Sequence, residues 1–169
     1  MKRNGGFTLV ELVVVIVILG ILAGIAAPKF FEVKGEARNS EMKALASSIN
    51  KSIEMVHAKA MLENKTLQVR GSVLKVVIGG ETILLADGGY PVMTIENIRK
   101  MLTQMSPTIQ SQGTSPLLLY PADNDLRRVT NVSKTNLPDG CYVAVWGSIT
   151  SGDDLIPPVA KAPVKMKCN

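Results

Sequence analysis

One histidine, two cysteines and two close-set aspartate pairs are the side chains of this 169-residue sequence that could do covalent or metal chemistry. His57 lies near Ile53, Val56 and Ala60 at helical spacing, so its ring is expected beside a packed helix face and not in a catalytic pair. Asp123 with Asp125, and Asp153 with Asp154, could be acid groups or calcium ligands. Calcium takes about six to eight oxygens, and no further ligands stand at a recognisable spacing, so both pairs read as solvated loops. No triad, phosphate loop or Cys/His cluster is present, which argues against an enzyme, a cofactor or a metal. The residue whose surroundings demand an explanation is Glu11, in FTLVELVVVIVILGILAGIAAPKF. A carboxylate in a membrane helix costs about 2.5–3.5 kcal/mol on insertion scales, so it needs a partner.

Phe7 to Ala27 is a run of 21 residues in which Glu11 is the only charge. As a helix the run spans roughly 32 Å, about one hydrocarbon thickness. Lys2 and Arg3 precede it and no positive charge follows before Lys29, which places Met1 on the cytoplasmic side and the rest of the chain across the membrane. A secretory signal, with Gly24 and Ala26 near its cleavage point, is one alternative, and a plain anchor helix is another. Both leave Glu11 unexplained. The Gly20/Gly24 pair has the spacing of a helix-packing motif, which is common in membrane helices and weak by itself.

MKRNGG followed by FTLVE resembles the leader and cleavage junction of type IV pilins, the class III signal peptide of prepilins. The resemblance implies a dedicated prepilin peptidase that cuts between Gly6 and Phe7 and N-methylates Phe7. The cut would create a positive amine four residues before Glu11, one helical turn away, where the two charges can neutralise each other. In the family this carboxylate is understood to pair with the Phe7 amine of a neighbouring subunit and so to set filament register. Removing one partner of a buried pair typically costs about 3–5 kcal/mol, which suits a register check. Gly20, Gly24 and Pro28 make a soft spot where Pro28 can break or kink the helix, and in filaments of the family this stretch loses helicity.

Beyond Pro28, Phe30, Val33, Ala37, Leu45, Ile49, Ile53, Val56 and Ala60 mark an amphipathic helix to about Asn64. Lys34, Glu36, Lys43, Lys51, Glu54 and Lys59 lie on the opposite face. VLKVVI and ETILLA flank Gly79–Gly80 as a hairpin, and ADGGYP is a second turn. Thr94 can cap a short helix with Ile95, Ile98, Met101, Leu102 and Met105 on one face. LLLYP, RRVTNV and CYVAVWG read as further strands, with PADND and NLPDG as turns. The fold class is therefore α+β: a long N-terminal helix packed on an antiparallel sheet. Four segments follow: a leader at 1–6, a membrane and filament-core helix at 7–28, an amphipathic helix at 29–65, and a head at 66–169. This order is the pilin arrangement, and AAPKF with the GYP turn looks most like the mannose-sensitive haemagglutinin (MSHA) type.

Cys141 and Cys168 are expected to form one disulfide, because an export signal places them in an oxidising compartment. The bridge would pin a C-terminal end in which Pro157, Pro158 and Pro163 oppose regular structure. The formal charge is +5, and losing the leader takes the 19 basic side chains to 17 against 14 acidic ones. That balance gives no nucleic-acid footprint. Lys161, Lys165 and Lys167 with Arg127 and Arg128 could form a basic patch toward DNA or anionic glycans, but ordinary surface charge is the simpler reading, and DNA is not expected as a ligand. Tyr90, Tyr120, Tyr142 and Trp146 are expected in the core and sheet and not on a sugar platform.

The resemblance implies a type IV pilus subunit, resident in the inner membrane before assembly and on the cell surface afterwards, serving adhesion and biofilm formation. Its partners would be other pilin subunits in a homo-oligomeric helical filament, the peptidase, the pilus assembly machinery and a surface or glycan ligand. A secretion pseudopilin or an accessory pilin is the alternative.

Overall fold

The computed structural model describes residues 8–67, 73–102, 105, 109–122, 129, 131–151 and 154–168. Cleavage at Gly6/Phe7, the aspartates 123, 125 and 153, and Arg127 and Arg128 lie outside them. The chain opens with α1 (Leu9–Leu62), a single helix of 54 residues and therefore about 80 Å long. It runs through Pro28 without the expected break. A proline at 28 withholds only the N–H that would bond the Gly24 carbonyl. Long helical stretches on either side propagate across that one missing bond. α1 ends on a left-handed Asn64 (φ 55°), whose neighbour Lys65 returns its N–H to the Ala60 carbonyl at 2.8 Å. The Glu63 carboxylate joins Lys59 (3.1 Å) and Lys65 (2.7 Å), and their hydrogen bonds hold it below the usual carboxylate range.

The face of α1 that packs is shifted from the expected one. Phe30 (68% exposed), Val33 (64%) and Ala37 face outward, and the core begins at Gly35 and continues through Met42, Ala46, Ile49, Ile53, Val56 and Ala60. At 100° per residue Phe30, Val33 and Ala37 stand on the side of α1 away from Met42–Ala60, while Gly35 between them is buried.

The expected antiparallel sheet is present with four strands, and two further two-stranded antiparallel pairs stand beside it. β1 (Lys75–Ile78) and β2 (Glu81–Leu84) pair Ile78 with Glu81 across Gly79 (φ 60°) and Gly80 (φ 86°), the two positive φ values of a two-residue hairpin turn. A 3-10 turn (Asp87–Gly89) leads to α2 (Ile95–Met101), capped as expected by Thr94, which accepts from the Asn97 N–H. The main sheet takes the order β3 (Ile109–Gln112), β4 (Leu117–Pro121), β5 (Val143–Trp146), β8 (Val159–Lys161), and β6 (Ile149–Ser151) pairs with β7 (Asp154–Ile156). Of the expected RRVTNV strand, the described residues Val129, Asn131 and Val132 are irregular, and Asn131 sits at φ 58°, outside the strand region. β8 lies between Pro158 and Pro163, so the prolines bound a short strand without preventing one. All four residues of β5 are buried, because Val143 and Val145 meet the α1 core while Ala144 and Trp146 meet Leu118, Val129 and Leu137 on the other side.

Two asparagines close sheet edges. Asn50 on α1 donates to the Ala160 carbonyl (2.9 Å) and accepts its N–H (2.8 Å), closing the outer edge of β8. Buried Asn97 on α2 accepts from Leu84 N–H (3.0 Å) and donates to the carbonyls of Leu84 (2.8 Å) and Val92 (2.9 Å). The disulfide forms between Cys141 and Cys168, with Cα atoms 4.8 Å apart and both residues buried. Its C-terminal end rests on α1: Asn39 accepts the Cys168 N–H at 3.1 Å, and a Cβ at Gly35 would stand 2.7 Å from the Cys168 carbonyl oxygen.

Asn97→Ala leaves buried backbone groups unpartnered, and about 2–4 kcal/mol of stability is expected to go. The fluorescence of Trp146, the single tryptophan, during urea unfolding measures it; an unchanged midpoint would remove Asn97 from this role. Tyr142, fully buried, donates its hydroxyl to the Pro138 carbonyl at 2.8 Å, and burial, with Asp139 nearby, pushes the phenol up to about 12. An acid raised in the folded state favours folding fully below its unfolded value of about 10 and loses that contribution as pH climbs to about 12. The head is therefore expected to weaken over that interval, and Tyr142→Phe to lose this part of the pH dependence.

Candidate functional site

The sequence feature most in need of a partner has one inside its own first turn. Thr8, extended at φ −78° and ψ 151°, is the N-cap of α1, and its hydroxyl oxygen accepts from the Glu11 N–H at 3.3 Å. The Glu11 carboxylate answers by accepting the Thr8 backbone N–H at 2.8 Å and the Thr8 hydroxyl at 2.9 Å. The result is a capping box, with a negative charge at the positive end of a long helix dipole. TLVE carries its sequence signature, a threonine followed three residues later by a glutamate. The Phe7 amine lies outside the described residues, so the expected pairing with Glu11 stands as an expectation.

Above this cap, Leu9–Ala27 is apolar enough to cross a membrane, with a mean hydropathy of 3.0 over 19 residues and none of it buried. Gly20 and Gly24 are open: a Cβ at either position would meet nothing within 4 Å. Higher up, Phe30, Val33, Ala37, Ala44, Met55, Ala58 and Leu62 are all exposed. At 100° per residue they fall on the side of α1 opposite its core face, where exposed Ser47, Ser48 and Lys51 interrupt them between Ala44 and Met55.

The remaining candidates do not converge. His57 stacks on Tyr90, ring centroids 4.0 Å apart and planes 6° apart, with Nδ1 buried and without a hydrogen-bond partner. Tyr142 and Trp146 are buried as expected, and Tyr90 and Tyr120 are partly so. Lys161 donates to the Lys134 carbonyl, Lys167 pairs with Asp139 at 3.0 Å on the surface, and Lys165 is exposed. Among the described residues no three His, Cys, Asp or Glu side chains are grouped to hold a metal.

Residues 1–27 match the prokaryotic N-terminal methylation motif. The amino-terminal segment is similar to that of type IV pilus components. The type IV major pilin protein PilA of Myxococcus xanthus is 51% identical over 41 residues, 24% of this chain and 19% of that one. The type IV narrow pilus major component PilA5 of Thermus thermophilus is 41% identical over 61 residues, 35% and 53% of the two chains. The prepilin peptidase-dependent protein A of Clostridium perfringens is 37% identical over 71 residues, 41% and 51% of the two chains. The matches span about half the length of these relatives or less. No solved structure matches. The likeness is to type IV pilus components and to a prepilin peptidase-dependent protein.

Thr8→Val deletes the hydroxyl from both bonds it makes and keeps the backbone N–H. Loss of such a cap costs about 1 kcal/mol, so amide exchange in the first turn of micelle-bound protein should quicken by about fivefold, and Thr8→Ser should restore the slow rate. Equal rates in all three proteins would show that the capping box does not hold the helix end.

Proposed function

We infer that the chain is the precursor of a type IV pilus subunit whose mechanism is assembly. The observation that carries this reading is the exposed apolar length of α1 below a head already packed on its own face, with Glu11 as its one charge up to Ala27. In this reading prepilin peptidase removes residues 1–6 on the cytoplasmic side and methylates Phe7, residues 7–28 span the inner membrane, and residues 29–65 carry the head at 66–169. The helices then leave the lipid and pack against one another in a filament core, a homo-oligomer delivered by the assembly machinery. Gly20, Gly24 and Pro28 form the segment that can unwind there. The lost bond at Gly24 and two exposed glycines support that role.

Glu11 is the register element. In the free subunit Thr8 holds its carboxylate, and in the filament the methylated Phe7 amine of a neighbour competes for it. A misplaced subunit leaves a charge unpaired in an apolar core, at about 3–5 kcal/mol. The head and its disulfide loop form the outer surface, which serves attachment and biofilm formation in the manner of an MSHA-type pilin and presents any contact with a surface or glycan ligand.

Protein sheared from the cell surface is expected to show an intact mass lacking Met1–Gly6, with one added methyl and one disulfide. A chain starting near Ala27, or one retaining Met1, would overturn the reading. Glu11→Ala is expected to leave a folded, membrane-held subunit and no surface filament, with Glu11→Asp retaining some assembly. Normal filaments built from Glu11→Ala would remove the register role. Oxidised, processed subunits that never reach surface filaments would place the chain in a secretion pseudopilus instead.

A further inference from the structure

The strand edges of the head are treated unequally. Asn50 occupies the outer edge of β8, Asn97 that of β2, and Arg99 donates to the Ile109 carbonyl of β3 at 2.8 Å. Among the described residues β1 has no such guard. The Leu85 N–H bonds the Leu74 carbonyl at 2.9 Å, which fixes the alternation of the antiparallel pair. Residues 74, 76 and 78 exchange ladder bonds with 85, 83 and 81, and Lys75 and Val77 turn their N–H and C=O groups away from β2. The bonds of Asn97 to both backbone groups of Leu84, the residue opposite Lys75, require the same phase. Among the described residues nothing takes those four groups.

Protected edges usually carry proline, a bulge, several charges or a covering element. VLKVVI has one lysine. Val73 (68% exposed), Lys75 and Val77 (55%) share the outer face by period-two spacing, and Leu84 (41%) of β2 lies beside Lys75 on that face. The edge therefore presents four free backbone groups and a side-chain row that reads apolar, cationic, apolar.

We propose that β1 is a strand-addition site for an extended protein segment in which an acidic residue stands between two apolar ones, two positions away on either side. The backbone groups of Lys75 and Val77 supply the ladder, and Lys75 selects the acidic residue across from it. The site is built from β1 and β2 and uses no residue of α1, so its test is read separately from filament assembly.

The probe is the capped peptide TVTETVT added to the full chain in neutral detergent micelles, with amide exchange at Lys75 and Val77 read by NMR. Both amides are expected to slow by about tenfold, and a peptide with Lys in place of Glu should bind about tenfold more weakly. Lys75→Glu should reverse that preference. Val77→Pro removes an outward N–H and no ladder bond, so it should keep the Trp146 unfolding midpoint and lose the peptide response. Unchanged exchange at Lys75 and Val77, or an equal response in Val77→Pro, would overturn the proposal. So would protection that grows with protein concentration without peptide, since a second copy would then be filling the edge.

Discussion

Burial of one α1 face between Met42 and Ala60 is the constraint from which the head is built. The lower part of α1 is exposed on every side, so the position of the helix relative to the sheet depends on this one packed face. The face is supplied from distant parts of the chain. Val76 and Ile83 of the hairpin, Ile98 of α2, Leu119 of β4, Val143 and Val145 of β5 and Ala160 of β8 all meet it. A single polar bond alone would not set the register of the C-terminal stretch along the helix. Asn50 and Asn39 therefore fix two points on it, Ala160 and Cys168, and the disulfide ties the second back to Cys141 beside β5.

The asparagines do a job that hydrophobic packing cannot. Apolar contact is non-directional and tolerates a slip of one residue, whereas a carboxamide matched to both N–H and C=O of one residue does not. Asn50 and Asn97 thereby close an edge and specify a register with one side chain. The same logic explains why Gly35 is a glycine: the Cys168 carbonyl comes so close to its Cα that a methyl group would collide with backbone.

Much of this was legible in the sequence where a pattern is local. The Gly79–Gly80 hairpin, the Thr94 cap, the long helix and the cysteine pair follow from turn chemistry, periodicity and redox compartment. What failed did so for separate physical reasons. Steps of four residues drift round a helix, so the apolar row that starts at Phe30 and Val33 begins on the side of α1 away from the one that Ile49–Ala60 pack. β3 and β8 are too short, and β8 too hemmed by prolines, to stand out before their partners are known. Asn131 ends a plausible strand through one left-handed φ, which a non-glycine residue seldom announces. The Thr8–Glu11 box was readable in FTLVE, yet the apolar surroundings of Glu11 direct attention to a charged partner and away from the helix cap.

That double identity of Glu11 is physically coherent. If Glu11 pairs with an amine in an apolar core as proposed above, it cannot stay bare beforehand, because an unsatisfied charge would draw water or the wrong partner. Two neutral donors from Thr8 satisfy it only in part, since a carboxylate has about four acceptor sites and the helix cap fills two of them from one oxygen. Both Thr8 donors fall on Oε2, which leaves Oε1 to accept from an incoming cation. The Thr8 bonds are charge-assisted from the carboxylate side, and a cationic donor on Oε1 would add to them without displacing them. In the proposed filament role the cap would orient Glu11 and leave Oε1 open to a neighbour's amine, with the helix end still formed.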